Sequence, residues 1–591
     1  MGLIIQKYGG TSVGSVERIQ AVAQRVKTTV EAGNALVVVV SAMGKTTDGL
    51  VKLANGLSSN PCSREMDMLL STGEQVTISL LSMALQEIGQ PAISLTGAQV
   101  GIVTEPAHTR ARILNIDPQR LERHLKEGKV VVVAGFQGTS NNADRDVTTL
   151  GRGGSDTSAV ALAAALRADC CEIYTDVPGI LTTDPRLVED AQLMDEITSD
   201  EMLELASLGA KVLHPRAVEI ARNYGVQMVV RSSWTDEPGT RVISPIISAR
   251  PLQDLELGRP VDAVHFDHDQ AKVALLRVAD RPGVAAGLFG ELAHQGLDVD
   301  LIIQSIHEGN SNDIAFTVSK DTLKQAEAVS VAFNPPQGDN QAEVLVDRDV
   351  AKVGIVGAGI IGRPSVAAQM FQTLADAGIN LQMISTSEVN VSCTVAMEDC
   401  DRAIQLLCRT FEVASSPVQT SLRTEQASPP VRGIALDLKQ AQLAIRHVPD
   451  HPGMAAQIFQ ALAAKNISID MVIQSQRSRP VEGVMTRDIA FTVGETDLQV
   501  AQHVLKDAAD QLGCGPVTAD SEVAKLSIVG IGMLGRPGVA AQMFQALAAE
   551  QINIQMIATS EIRVSCVIPL TDGVKALKAV HAAFDLGSPH H

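Results

Sequence analysis

Five short segments of this 591-residue chain carry side chains suited to handling anions. The first, Lys7-Tyr8-Gly9-Gly10-Thr11-Ser12, follows the apolar run Leu3-Ile4-Ile5 and precedes an amphipathic helical pattern over 16–30. A strand that delivers a lysine and two glycines to a helix start lets backbone amides approach a phosphate, while the lysine supplies a compact positive charge. A plain strand–turn–helix corner has the same pattern. Gly151-Arg152-Gly153-Gly154-Ser155-Asp156-Thr157-Ser158 opens an alanine-rich helix over 159–166. Its arginine offers a planar fork that matches a carboxylate, and Gly-Gly-Ser exposes amides at a helix N-terminus. The alternative there is a capped helix with an incidental arginine. Ser41-Ala42-Met43-Gly44-Lys45-Thr46-Thr47 ends in Gly-Lys-Thr, but Val39 stands where a P-loop needs glycine. Ser71-Thr72-Gly73-Glu74 precedes an apolar helix and is also readable as its cap. The fifth, Thr175-Asp176-Val177-Pro178-Gly179-Ile180, continues into Thr182-Thr183-Asp184-Pro185-Arg186.

The elements that must position these segments follow from apolar runs. Strands are expected at 3–6, 35–40, 92–95, 129–134, 172–175 and 227–230, alternating with helical patterns. That rhythm, over residues 1–245, specifies a largely parallel sheet, and the carboxyl ends of its strands should converge on one crevice.

Taken in this order, the five segments resemble the motifs of aspartate kinase, a member of the amino-acid kinase fold family. Lys211, in Gly209-Ala210-Lys211-Val212-Leu213-His214-Pro215, fits the same pattern. The resemblance implies transfer of the γ-phosphoryl group of Mg-ATP to the β-carboxylate of L-aspartate. It assigns Lys7, Gly9, Gly10, Ser41 and Lys211 to the phosphates, and Tyr8, Tyr174, Asp176, Gly179 and Asp184 to the nucleotide. Thr47, Glu74, Arg152, Gly153, Gly154 and Ser155 would hold aspartate, and Asp156 would orient the two lysines. Lys7, Arg152, Asp156 and Lys211 form the catalytic set. No metal ligands are legible, so Mg2+ is expected to arrive with ATP. An acceptor carboxylate is already ionised at neutral pH, so the chemistry asks for positioning and charge neutralisation, without a general base.

The rest of the chain repeats itself. The segment 297–305 recurs at 467–475, Asp280-Arg281-Pro282-Gly283 recurs as Asp450-His451-Pro452-Gly453, and 379–388 recurs at 552–561. Each copy holds two units of about 70 residues that resemble ACT domains. The expected division is a kinase domain at 1–245, a linker at 246–262, ACT-like modules at 263–349 and 350–415, a linker at 416–432, and modules at 433–520 and 521–591. The fold class is therefore α/β, a mainly parallel kinase sheet followed by four small α+β modules. By resemblance, one effector site in the first pair uses Asp280, Val284, Ala285, Asp300, Gln304, Asn380, Ser387 and Glu388. Asp450, Asp470, Gln474, Asn553, Ser560 and Glu561 are the duplicate positions. Lysine and threonine are the expected inhibitors in the pathway to lysine, threonine and methionine, and edge-to-edge pairing of ACT units suggests a homodimer. Gly357-Ala358-Gly359-Ile360-Ile361-Gly362 and Gly530-Ile531-Gly532-Met533-Leu534-Gly535 imitate a dinucleotide fingerprint. An acid is wanted about 20 residues on, and Gln382 and Gln555 stand there, so both are read as strand–helix turns.

Composition bounds the alternatives. Forty-eight Lys and Arg against 67 Asp and Glu give a net charge of −19, which disfavours nucleic acid and anionic membranes as partners. The eight cysteines show no metal or CxxC spacing, the apolar runs are strand-length, and no signal-peptide pattern opens the chain. A cytoplasmic protein is expected. Two other functions fit parts of the pattern: another enzyme of the amino-acid kinase fold, or a non-catalytic amino-acid sensor.

Overall fold

The computed structural model describes residues 2–209, 212–245, 250–306, 311–333, 343–360, 362–417, 429–533 and 535–587. The chain divides into two compact units. The first holds residues 1–181, 193–206 and 210–258; the second holds 182–192, 207–209 and 259–591.

In the first unit, β1 (Leu3–Tyr8) lies at the middle of an eight-stranded sheet. On one side it pairs with β2 (Ala35–Val40), which leads to Val130–Ala134 and then β3 (Ala92–Leu95). On the other side it pairs with Cys170–Thr175, followed by Met228–Ser232, Thr240–Ile243 and Glu196–Thr198. All pairings are parallel except that of Met228–Ser232 with Thr240–Ile243. The runs Leu36–Val40 and Val130–Ala134 are buried throughout, as strands covered on both faces must be. Helix α1 (Val16–Glu31) buries Ile19, Val22, Ala23 and Val26, a 3.6-residue stripe that packs into the same core as β2.

Helices α2 (Thr46–Leu57), α3 (Ser63–Leu70) and α4 (Thr72–Glu87) follow β2. Together α3 and α4 make a 25-residue helical stretch apolar enough to cross a membrane by length and composition, although the sequence had shown only strand-length apolar runs. Ten of its 25 residues are buried, among them the carboxylates Asp67 and Glu74. The expected linker at 246–262 is not all connector. Leu255 and Glu256 are buried, and their amides donate to the carbonyls of Leu114 and Ile113.

Among the described residues, the second unit carries four βαββα modules on one 14-stranded sheet. Strands Ala263–Ala279 and Glu343–Val356 each run through two modules, with register shifts near Asp267 and Gln270 marking the crossing. Residues 263–267 thus lie on the sheet of the second module, although the repeat had placed them in the first. Gly433–Pro449 and Val517–Val529 do the same for the third and fourth modules.

The modules pair across the duplication. Helix Val284–His294 of module 1 packs on Val539–Ala549 of module 4, with the Phe289 and Phe544 rings 5.5 Å apart. Helix Pro364–Asp376 of module 2 packs on Met454–Ala463 of module 3, with Phe371 and Phe459 5.6 Å apart. Each pair shares one continuous apolar core. Strand Ile302–Ile306 joins Met556–Ser560 edge to edge, Ile303 opposite Ala558. The edge pairing that suggested a homodimer is therefore completed inside one chain. At the two fingerprint-like turns, a Cβ on Gly357 would come within 2.4 Å of Pro260 O, and one on Gly530 within 2.3 Å of Pro430 O. Those glycines serve close backbone approach.

Candidate active site and effector pockets

The parallel register sets Lys7 between Val39 and Ile173, so its side chain leaves the carboxyl end of β1. Its Nζ lies 2.6 Å from Oδ1 of Asp156, an ion pair outside hydrogen-bond geometry, with both side chains 11% exposed. Asp156 and Ser155 occupy the first turn of helix Gly154–Leu166, where unpaired backbone amides and the helix dipole favour an anion. A Cβ on Gly10 would sit 2.8 Å from Ala42 O and 3.2 Å from Gly44 O, so only glycine lets the two loops meet. Gly44 N donates to Gly10 O at 2.9 Å, and Ser41 N to Tyr8 O at 3.1 Å. Gly9 N donates to Tyr174 O at 3.3 Å, which brings the fifth segment alongside.

Glu74 reaches the same place from the first turn of α4, and Ser71 at the N-cap makes no side-chain cap hydrogen bond there. Ala42 N donates to its Oε1 at 3.1 Å, while its buried Oε2 has no hydrogen-bond partner among the described residues. Burial pushes its carboxyl up to about 7 against the opposing Ala42 amide. A buried carboxylate with one unmet oxygen is matched by a ligand ammonium, which would restore its ionised form. Contacts thus tie the five anion-handling segments together: Lys7 to Asp156, Gly10 to the Ser41 loop, that loop to Glu74, and Gly9 to Tyr174.

Other expected residues fall differently. Arg152 is exposed beside Gly153 and Gly154, and Thr47 is half-buried in the first turn of α2. Tyr8 was expected at the nucleotide, but strand alternation turns its ring away from Lys7 into the core. There it stacks on Tyr174 at 4.7 Å and donates to Gln6 Oε1. Tyr174 is 3% exposed and its hydroxyl donates to Glu172, so neither ring has a free face for a base. Gly179 is buried against Thr240 and Leu193, and Asp176 is exposed. Asp184 belongs to the 182–192 stretch of the second unit, where Arg186 engages it at 2.6 Å. Lys211 lies outside the described residues.

Three positioning residues had no signal in the sequence. Arg216 donates to Leu150 O, to Ala111 O at 2.8 Å and to Glu256 Oε1 at 2.7 Å, which fixes the approach to Arg152. Asp67 accepts from Thr109 N and Thr149 Oγ1 and lies 2.7 Å from His108 Nδ1. Buried charge of this kind shows only once the fold brings its partners together.

The expected effector residues divide into four pockets. Asp280, Val284, Ala285 and Gln304 share one with Asn553, and Asp450 and Gln474 share another with Asn380. Asp300 lies with Ser560 and Glu561, and Asp470 with Ser387 and Glu388. The grouping of Asn380, Ser387 and Glu388 with Asp280 is thus corrected. Module 1 meets module 4, so its partners come from the second copy.

Residues 2–232 match the amino acid kinase family, and 353–411, 446–508 and 526–584 match the ACT domain. The aspartokinase of Bacillus sp. (strain MGA3) is 50% identical over 71% of this chain and 100% of its own length. That of Geobacillus stearothermophilus is 49% identical over 70% of this chain and 98% of its own. The crystal structure of aspartate kinase from Synechocystis is 62% identical, covers all of both chains and superposes with a TM-score of 0.87. The chain belongs to the aspartokinase family. It is an aspartate kinase whose ACT modules make it an enzyme of the allosterically regulated kind.

Proposed function

We propose that this aspartate kinase transfers the γ-phosphoryl group of ATP to the β-carboxylate of L-aspartate, giving 4-phospho-L-aspartate. The observation that carries this reading is Glu74, whose buried Oε2 has no hydrogen-bond partner among the described residues and whose Oε1 accepts from the Ser41 loop that closes on Gly10, three residues past Lys7. Glu74 takes the substrate ammonium, and Arg152 with Ser155 and the Gly153-Gly154 turn takes the α-carboxylate. The β-carboxylate then faces phosphates held by Lys7, Gly9, Gly10 and Ser41, with Lys211 as second cation. Asp156 holds Lys7 in place. Strand-end glycines, lysine and a helix N-terminus are a donor set fitted to a nucleotide phosphate. The Mg2+ carried by ATP would neutralise phosphate charge, and no protein ligand is assigned to it.

Lysine, threonine or both act as feedback inhibitors at the module pockets, and the enzyme works in the cytoplasm at the head of the route to lysine, threonine and methionine. Any homodimer must use a surface other than the edges already paired. An ATPase-coupled assay over aspartate, glutamate, acetylglutamate, carbamate and UMP tests the acceptor. Turnover confined to aspartate supports the reading, and a better acceptor among the others replaces it.

A further inference from the structure

The duplication makes the four pockets two quasi-equivalent couples, and in each couple one exchange of asparagine for arginine breaks the symmetry. Offsets of 170 or 173 residues map Asp300 on Asp470, Lys352 on Lys525 and Glu388 on Glu561, and they set Asn390 against Arg563. At the module 2/3 pocket, Arg563 reaches over from module 4: it is 1% exposed, and its Nη2 donates to Thr386 O at 2.7 Å and to Asp470 Oδ1 at 2.9 Å. Lys525 Nζ donates to the other oxygen of Asp470 at 2.8 Å. Burial pushes the Asp470 carboxyl up, but Arg563 and Lys525 together hold it below the usual carboxylate range.

The module 1/4 pair lacks that arginine. Asn390 stops at Glu561 Oε1, 3.4 Å away, and Lys352 lies 2.9 Å from Asp300 and 3.5 Å from Glu561. Asp300 and Glu561 share the Lys352 ammonium there, whereas Asp470 by itself takes both Lys525 and Arg563. The cavity around Asp300 measures about 480 Å³ and that around Asp470 about 170 Å³. Gln270 lines the larger cavity, is 6% exposed, and its Oε1 has no hydrogen-bond partner among the described residues.

The second couple differs in charge and not in size, each pocket being closed to about 20 Å³. Asp280 accepts from the neutral amides of Asn312 and Asn553 at 3.0 and 2.9 Å. Strand register makes Arg487 the counterpart of Asn312, and Arg487 is ion-paired with Asp450 at 2.7 Å.

We infer that the module 1/4 pair is the amino-acid receptor of this chain, and that Arg487 and Arg563 take the place of the ligand's ammonium group in the module 2/3 pair. The inference rests on the proposed reading of the modules as effector pockets. A ligand ammonium gains a charge-assisted bond only where the carboxylate is not already matched by a guanidinium. The 2/3 pair then serves as a fixed structural half, and the 1/4 pair as the half that responds.

Calorimetric titration of the full chain with L-lysine and L-threonine, singly and together, tests this. Wild type should show at most two tight sites per chain. Asn390→Arg should lose one or weaken it at least tenfold, and Arg563→Asn should gain one. Because Arg563 is buried, Arg487→Asn provides the same gain should Arg563→Asn fail to fold. Four equal sites in wild type, or an isotherm unchanged in Asn390→Arg, overturns the inference and leaves the effector reading standing. No binding of either amino acid overturns both.

Discussion

The Lys7 ammonium and the Asp156 carboxylate meet at 2.6 Å, joining the end of the central strand to the first turn of helix Gly154–Leu166. Asp156 fixes the cation where the helix N-terminus also favours negative charge, so one contact aligns two independent sources of positive potential.

Lys7→Ala should reduce kcat by roughly 10²–10³, the usual loss for one preorganised donor at a charged transition state, with circular dichroism unchanged. Steady-state assays decide it. A variant that keeps more than a tenth of wild-type kcat would remove Lys7 from the phosphate site.

Glu74 sets a pH dependence with a definite sign. Its folded-state carboxyl is raised from the ordinary 4.5 to about 7 by burial, so the folded protein binds the extra proton. Stability of the unliganded protein should therefore fall as pH rises from about 4.5 to about 7, by roughly 2–3 kcal/mol, and level off above. Glu74→Gln should flatten that slope. An ammonium needs the ionised form, so KM for aspartate should drop through the same window in wild type. Urea denaturation and KM measured at pH 5 to 8 check both.

Arg152→Lys should raise KM for aspartate by about 10–100-fold with KM for ATP little changed. Lysine keeps the charge but loses the paired N–H bonds to the α-carboxylate. Equal rises in both constants would move Arg152 to the nucleotide.

Gly10→Ala should lower both activity and thermal stability, because its Cβ would lie 2.8 Å from Ala42 O and the obstacle is backbone. Differential scanning calorimetry beside kcat detects the two losses. An unchanged Tm would show that the loops separate freely.

Glu561→Ala should raise the inhibitor concentration for half effect by about tenfold or more, while Glu388→Ala should change it far less. Glu561 shares Lys352 with Asp300, whereas in the Glu388 pocket Asp470 is already engaged by both Lys525 and Arg563. Inhibition curves with lysine plus threonine compare the two.

Much of the catalytic unit was legible in sequence because its strands are short valine-rich runs ending in glycine, and five ordered motifs mark their ends. The strand expected at 3–6 continues to Tyr8, and that extension decides which way Lys7 and Tyr8 face. Asp67, Arg216 and Glu256 were silent because each derives its role from residues between 40 and 143 positions away. The repeat revealed four modules but not their pairing. Sequence similarity between two copies is blind to whether module 1 meets module 2 or module 4. That choice rests on apolar contacts such as Phe289 on Phe544.

The crossed pairing has a consequence for biosynthesis. Gln304 donates to Ile554 O across 250 residues of chain, so module 1 leaves the ribosome long before module 4 exists. At roughly 5–20 residues per second, the edge strand Ile302–Ile306 waits on the order of 10–50 s with the backbone groups of its outer edge unpaired. An open apolar edge invites pairing with any other nascent copy in the same condition. Chain release after module 2 would make that state permanent, and two such fragments would have to complete each other's sheets.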